Sequence, residues 1–122
     1  MIVGVGIDIE SIDRFRSMDK RILRRVLKRI FTEKEIEYCN NLRDPFPCYT
    51  GRFCAKEAFL KATGLEDFHR FKWHEMEIPG KPPEFKTYGN IESFIRNEKI
   101  RKIWVSISHT IGYATAIVVL ER

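Results

Sequence analysis

The segments of this chain with the strongest β propensity lie at its two ends, and the helical periodicity lies between them. Ile2 to Ile9 is rich in Val and Ile and bounded by turn-prone residues, which predicts a strand. Ala114 to Leu120 predicts another. Ile103, Val105 and Ile107 alternate with Trp104, Ser106 and Ser108, the pattern of a half-buried strand ahead of a loop at Thr110 to Gly112. Terminal strands around a helical middle imply an α+β layer structure: a small, mostly antiparallel sheet with helices packed on it. At 122 residues the chain suits one domain, residues 1–122.

The middle reads as a series of helices. From about Asp13 to Ile30 the period is helical; Ile22, Leu23, Val26, Leu27 and Ile30 form an apolar stripe, with Arg21, Arg24, Arg25 and Lys28 opposite. Thr32 and Glu35 make a capping box, with Phe31 and Ile36 as its hydrophobic staple, so a new helix runs from Thr32 to about Leu42. Pro45 and Pro47 break the chain, and a longer helix follows to Thr63, closed by Gly64. Trp73 to Ile78 reads as a strand, Pro79 to Pro83 as a turn and Phe85 to Thr87 as its partner strand. Asn90 is placed to cap a short helix carrying Ile91, Phe94 and Ile95.

Composition narrows the function classes. With 43% hydrophobic and 32% charged residues the chain is an ordinary globule. No apolar run approaches the roughly 20 residues that cross a bilayer, and the N-terminus lacks signal-peptide features, so a cytoplasmic protein without a membrane role is expected. Three cysteines, Cys39, Cys48 and Cys54, are odd in number and show no disulfide-framework spacing, so reduced thiols are expected. Cys39, Cys48, His69 and His74 lack the close ligand pairs of a zinc site. The net charge of +5 points to an anionic partner without choosing among nucleic acid, membrane, acidic protein and phosphorylated small molecule.

Several constellations are suited to phosphate chemistry, and each has a plain structural alternative. Asp8 and Glu10 share a strand face, either a polar face or carboxylates for a hard cation. Glu57 and Lys61 stand at i,i+4, either a surface ion pair or a metal carboxylate beside a phosphate-binding ammonium. Ser106 to Thr110 ends a strand with hydroxyls and a histidine, a site for an anion or a structural His109. Gly80-Lys81-Pro82 is a turn, or a loop that brings one cation against a ligand. Lys20 to Arg29 holds six cations and no acid, a solvated face or a docking surface for an acidic partner.

The order of these elements is more specific than any one of them. Gly6-Ile7-Asp8-Ile9-Glu10 comes first, then Gly51-Arg52-Phe53-Cys54-Ala55-Lys56-Glu57-Ala58-Phe59-Leu60-Lys61-Ala62-Thr63-Gly64, then Gly80-Lys81-Pro82, then Val105-Ser106-Ile107-Ser108-His109-Thr110. This series resembles the bacterial holo-acyl-carrier-protein synthases, the short branch of the phosphopantetheinyl transferases, over the whole chain. The resemblance implies Mg²⁺-dependent transfer of 4′-phosphopantetheine from coenzyme A to a serine of an acyl carrier protein, in support of fatty acid biosynthesis. It also implies a homotrimer with active sites between subunits. By position, Asp8 and Glu57 would hold the metal, and Glu57 and Lys61 would be catalytic. Arg52, Lys61, Gly64, Gly80, Lys81, Pro82, Ser108, His109 and Thr110 would bind the coenzyme. Arg14, Met18, Arg21, Arg24, Arg25 and Lys28 would dock the carrier protein. The chain departs from the pattern at Cys54 and Thr63, in a short segment between Trp73 and Gly80, and at Pro83.

Two other readings compete. A basic nucleic-acid-binding module would use the cationic helix but leaves Asp8, Glu57 and His109 without a role, and the basic run lacks interleaved aromatics. A cysteine hydrolase would pair Cys54 with His109.

Overall fold

In a computed structural model describing residues 1–122, the first and last strands pair along their whole length. Strand β1 (Ile2–Ser11) lies antiparallel to the final strand, Tyr113–Glu121, which also pairs with Lys102–His109. Between β1 and these two come α1 (Asp13–Arg16), α2 (Lys20–Ile30), α3 (Glu33–Asn40), α4 (Phe46–Ala62), the two-residue strands β2 (Met76–Glu77) and β3 (Lys86–Thr87), and α5 (Gly89–Asn97). Lys102–His109 is therefore β4 and Tyr113–Glu121 is β5, and the sheet order is β1-β5-β4. The α+β layer architecture anticipated from the terminal strands is the one observed.

Helix α4 lies across one face of this sheet. It is buried nearly all round, because its other sides are covered by α1, α3 and the segment after Trp73. Ala55, Ala58 and Ala62 meet Ala114, Ala116, Val118 and Leu120 of β5, and small residues on both sides permit close approach. The approach is closest over β1, where a Cβ on Gly4 or Gly6 would collide with the carbonyl oxygens of Ala62 and Ala58. These two glycines let β1 slide under α4 and bring Asp8 to the helix. A second apolar cluster, built on Phe15, Phe31, Tyr49 and Phe53, joins α1, α2 and α3 to the first half of α4.

The other face of the sheet is uncovered. Val5, Ile7 and Ile9 of β1, Trp104 of β4 and Tyr113 and Ile117 of β5 are all exposed there.

Several local expectations are corrected. The helix anticipated from Asp13 to Ile30 is interrupted at Ser17–Asp19, because the Asp19 carboxylate accepts from Arg21 N–H and starts α2 as its N-cap. Ile22 is 52% exposed; the covered stripe of α2 is Leu23, Val26, Leu27 and Ile30. The Thr32–Glu35 capping box is present, with α3 ending at Asn40. Trp73–Ile78 is mostly not a strand: Glu75 Oε1 accepts from Lys72 N–H, closing a 3₁₀ turn over Trp73–Glu75 ahead of β2. Tyr88, not Asn90, is the N-cap of α5; Asn90 N–H donates to Glu75 Oε2 instead. The expectation of three reduced thiols is overturned as well. Cys39 and Cys48 form a disulfide with Cα atoms 5.5 Å apart, because α3 and α4 pack side by side, and Cys54 is left free.

Candidate active site

Lys61 and Glu57 project from the C-terminal half of α4 toward β1. The Lys61 ammonium donates to Asp8 Oδ1 and to Ile7 O, each at 3.0 Å. The Asp8 side chain is only 14% exposed, and its Oδ2 is buried with no hydrogen-bond partner. Burial first, and the Asp8 charge second, push the Glu57 carboxyl above the usual carboxylate range, with Lys61 opposing. The hydrogen bond from Lys61 to Asp8 raises the lysine pKa in turn. Glu10 is engaged differently, since Arg14 donates to both of its oxygens, at 2.5 and 3.0 Å. The cluster is thus two under-compensated carboxylates, Asp8 and Glu57, beside one ammonium.

An orphaned buried carboxylate oxygen beside a carboxyl of raised proton affinity calls for a cation. No group of three or more His, Cys, Asp or Glu side chains is gathered to enclose a metal by itself. Two carboxylates suffice for Mg²⁺, which keeps waters and takes the rest of its shell from substrate phosphates. The residues fit that ion.

A second site opens on the far flank of α4. Arg52 and Lys61 are nine residues apart, two and a half turns, so they project from opposite sides of the helix. A cleft of about 650 Å³ is lined by Arg52, Lys81, His109 and Thr110 together with Tyr38 and Asp44. Arg52 is buried; its Nε donates to Ile78 O at 3.0 Å and its Nη2 to Gly80 O at 2.8 Å. It therefore anchors the Gly80-Lys81-Pro82 turn while its guanidinium lies 4.8 Å over the Tyr38 ring. Of the nine residues expected to bind coenzyme, Arg52, Lys81, His109 and Thr110 come together here. Gly80 and Pro82 flank Lys81. Lys61 is on the carboxylate side, and Gly64, in the left-handed conformation at φ 72°, ends the same helix near it. Ser108 is separated from the cleft, because alternation along β4 turns it to the opposite sheet face from His109.

The basic helix stands apart from both sites. Arg21, Arg24, Arg25 and Lys28 are exposed on α2, whereas Met18 packs half-buried against the Phe15–Phe31 cluster. Arg14 pairs with Glu10 and lies 5.2 Å over Phe53, closer to the carboxylates than to α2. Sequence reasoning assigned no site role to five residues that support these clefts. Asp44 and Arg16 form an ion pair at 2.8 Å on the cleft wall. Tyr38 supports Arg52. Glu35 and Lys56 form a fully buried ion pair at 2.7 Å; the capping box had accounted for Glu35 only as a local helix signal. A further cleft of about 590 Å³ adjoins Glu57, walled by Leu60, Phe68, Phe71 and Trp73.

Cys54 does not act as a nucleophile with His109. Its side chain is fully buried, its Sγ donates to Ala114 O at 3.3 Å, and burial pushes its pKa up to about 12.

Comparison with known proteins identifies the family. The sequence pattern of the family described as the 4′-phosphopantetheinyl transferase superfamily matches residues 4–118. A holo-[acyl-carrier-protein] synthase of Geobacter sp. (strain M21) is 42% identical over 128 residues, covering 100% of both chains. The crystal structure of the holo-[acyl-carrier-protein] synthase from Neisseria meningitidis superposes with a TM-score of 0.88 at 28% identity, covering 100% of both chains. That of Bacillus anthracis str. Ames, in complex with CoA (3′,5′-ADP), superposes with a TM-score of 0.78 at 31% identity over 99% of this chain and 97% of that one. The chain belongs to the 4′-phosphopantetheinyl transferase superfamily. Within it, the enzyme type is that of the holo-[acyl-carrier-protein] synthases.

Proposed function

We propose that this enzyme transfers 4′-phosphopantetheine from coenzyme A to a serine hydroxyl of an apo-acyl carrier protein in an Mg²⁺-dependent reaction. The observation that carries the reading is the buried, partnerless Asp8 Oδ2 beside Glu57 and Lys61. In the reaction the serine Oγ forms a bond to the β-phosphorus of coenzyme A, the bond from that phosphorus to the bridging oxygen breaks, and 3′,5′-ADP leaves. Asp8 and Glu57 would hold Mg²⁺, which neutralises phosphate charge when bound. Lys61 turns its ammonium from Asp8 to a phosphate oxygen and stabilises charge that develops during transfer. Glu57, close enough to Asp8 and Lys61 to feel both charges, is the side chain we assign to accept the serine proton. Lys81, His109 and Thr110 bind the 3′-phospho-ADP part, with Arg52 holding the turn that carries Lys81. The exposed cations of α2 receive the acidic surface of the carrier.

The proposal extends to a homotrimer. The uncovered sheet face groups six exposed apolar side chains, Val5, Ile7, Ile9, Trp104, Tyr113 and Ile117, and such a cluster suits a contact surface. The clefts beside Glu57 and Arg52 share no residue, so the Arg52 flank of one subunit set against the Lys61 flank of another would complete a site. The family resemblance supplies the number three. The same reading places the enzyme in the cytoplasm, supplying carrier protein for fatty acid biosynthesis; no helix is long and apolar enough to cross a membrane.

The test is mass spectrometry of an apo-acyl carrier protein incubated with enzyme, coenzyme A and Mg²⁺. A mass gain of one phosphopantetheine is expected; an unchanged carrier overturns the reading.

A further inference from the structure

The turn expected to grip the coenzyme has almost nothing local to hold it. Residues 79–85 make no backbone–backbone hydrogen bond, and β2 and β3 on either side are two residues each. Two buried side chains secure its entry instead, both through the Ile78 peptide. Arg52 donates to Ile78 O at 3.0 Å and to Gly80 O at 2.8 Å. On the opposite side, Ile78 N–H donates to Glu35 Oε2 at 2.9 Å.

Glu35 is itself held on every side. It is 0% exposed; its Oε1 accepts from Thr32 N–H at 2.9 Å and from the Lys56 ammonium at 2.7 Å. Lys56 is also fully buried and donates to Ile30 O, the last residue of α2, at 2.7 Å and to Trp73 O at 3.3 Å. A continuous polar chain thus runs from the end of the basic helix through Lys56 and Glu35 to Ile78, Arg52 and Gly80. Burying two opposite charges costs desolvation that apolar packing avoids, so such a pair is a weak device for stability alone. Its rigid geometry is suited to fixing a backbone position.

We infer that Glu35 is a positioning residue for the coenzyme, acting through the Ile78 peptide to set where the Gly80-Lys81-Pro82 turn presents Lys81 to the cleft. The inference rests on the coenzyme reading of that turn given above. It assigns to Glu35 a role in substrate affinity, although no atom of Glu35 lines the cleft.

The test is calorimetric titration with 3′,5′-ADP, together with steady-state kinetics, on Glu35→Gln. The amide keeps the side-chain shape and still accepts from Lys56 but sets an NH₂ against Ile78 N–H. Dissociation constant for 3′,5′-ADP and KM for coenzyme A should rise about tenfold, the size of one lost hydrogen bond to a charged group. The carrier KM should stay within about twofold of the wild-type value, since α2 is anchored by Lys56. A role in folding alone would reduce the amount of active enzyme and leave the dissociation constant of the folded fraction unchanged. The double variant Glu35→Gln/Lys56→Met avoids a lone buried ammonium and should show the same loss. Lys81→Ala is the reference. If Lys81→Ala weakens 3′,5′-ADP and neither Glu35 variant does, the inference alone is overturned. If Lys81→Ala binds like wild type, the coenzyme reading of the turn falls, and the inference with it.

Discussion

The Lys61 ammonium lies 3.0 Å from Asp8 Oδ1, and the other oxygen of the same carboxylate is buried with no partner. One cation thus faces both a half-satisfied aspartate and the charge of Glu57, the imbalance on which the proposed metal and phosphate binding rests.

Asp8→Ala and Glu57→Ala should each lower the rate of carrier modification by about 10²–10³, the range for removing one group that stabilises a charged transition state. Glu10→Ala should lose far less, since Arg14 already satisfies both Glu10 oxygens. Chelation of Mg²⁺ should abolish turnover, and its return should restore it. Near-normal rates for Asp8→Ala in saturating Mg²⁺ would remove the metal assignment.

Lys61→Ala should lower kcat as well as coenzyme affinity, because its charge meets charge that appears during transfer. Lys61→Arg should recover only part of the loss, a planar fork being a poor copy of a compact ammonium. An alanine variant changed in KM alone would reduce Lys61 to ground-state binding.

Arg21→Glu with Arg25→Glu should raise the carrier KM sharply and leave 3′,5′-ADP binding unchanged. Both side chains are exposed on α2 and away from the coenzyme cleft. The wild-type carrier KM should worsen with added salt, as complementary surface charge acts largely through screened encounter. Titrations of both substrates at two ionic strengths decide the point.

Ile7→Asp, on the uncovered sheet face, should give a monomer by light scattering with little activity. Mixing separately inactive Arg52→Ala and Lys61→Ala proteins under conditions of subunit exchange should restore activity. No recovery on mixing would place both residues in the site of a single chain.

Lys56→Met should destabilise the fold by about 3–5 kcal/mol in urea denaturation, because it strands the buried Glu35 charge. Opening the Cys39–Cys48 bridge, whose cysteines are nine residues apart, should cost about 2–3 kcal/mol in the same assay. Alkylation of the native protein should leave Cys54 unmodified and activity intact.

The three long strands β1, β4 and β5, the capping box at Thr32 and the end of α4 before Gly64 were legible because each depends on neighbours within a few positions. Ser17–Asp19 was harder, because helical period continues through it and only the Asp19 side chain decides that a new helix starts there. The 3₁₀ turn at Trp73–Glu75 was hidden by β-prone residues, and long-range anchoring by Lys56 overrides their propensity. Ile22 reads as core from spacing alone, yet the face of α2 that packs is the one carrying Leu23, and Ile22 stays exposed.

By itself the sequence determined the α+β class, the order of the elements and the residue types that phosphate transfer needs, because these follow from local periodicity and the ordered motifs. Only the tertiary structure decided which of those residues meet. Asp8 and Lys61 are 53 positions apart and join only because Gly4 and Gly6 let β1 pass beneath α4. Arg52 and Lys61 share a helix yet face opposite flanks, and Ser108 turns from His109 by strand alternation. Cys39 and Cys48 pair for the same reason: the packing of α3 on α4 fixes a distance that spacing along the chain does not encode.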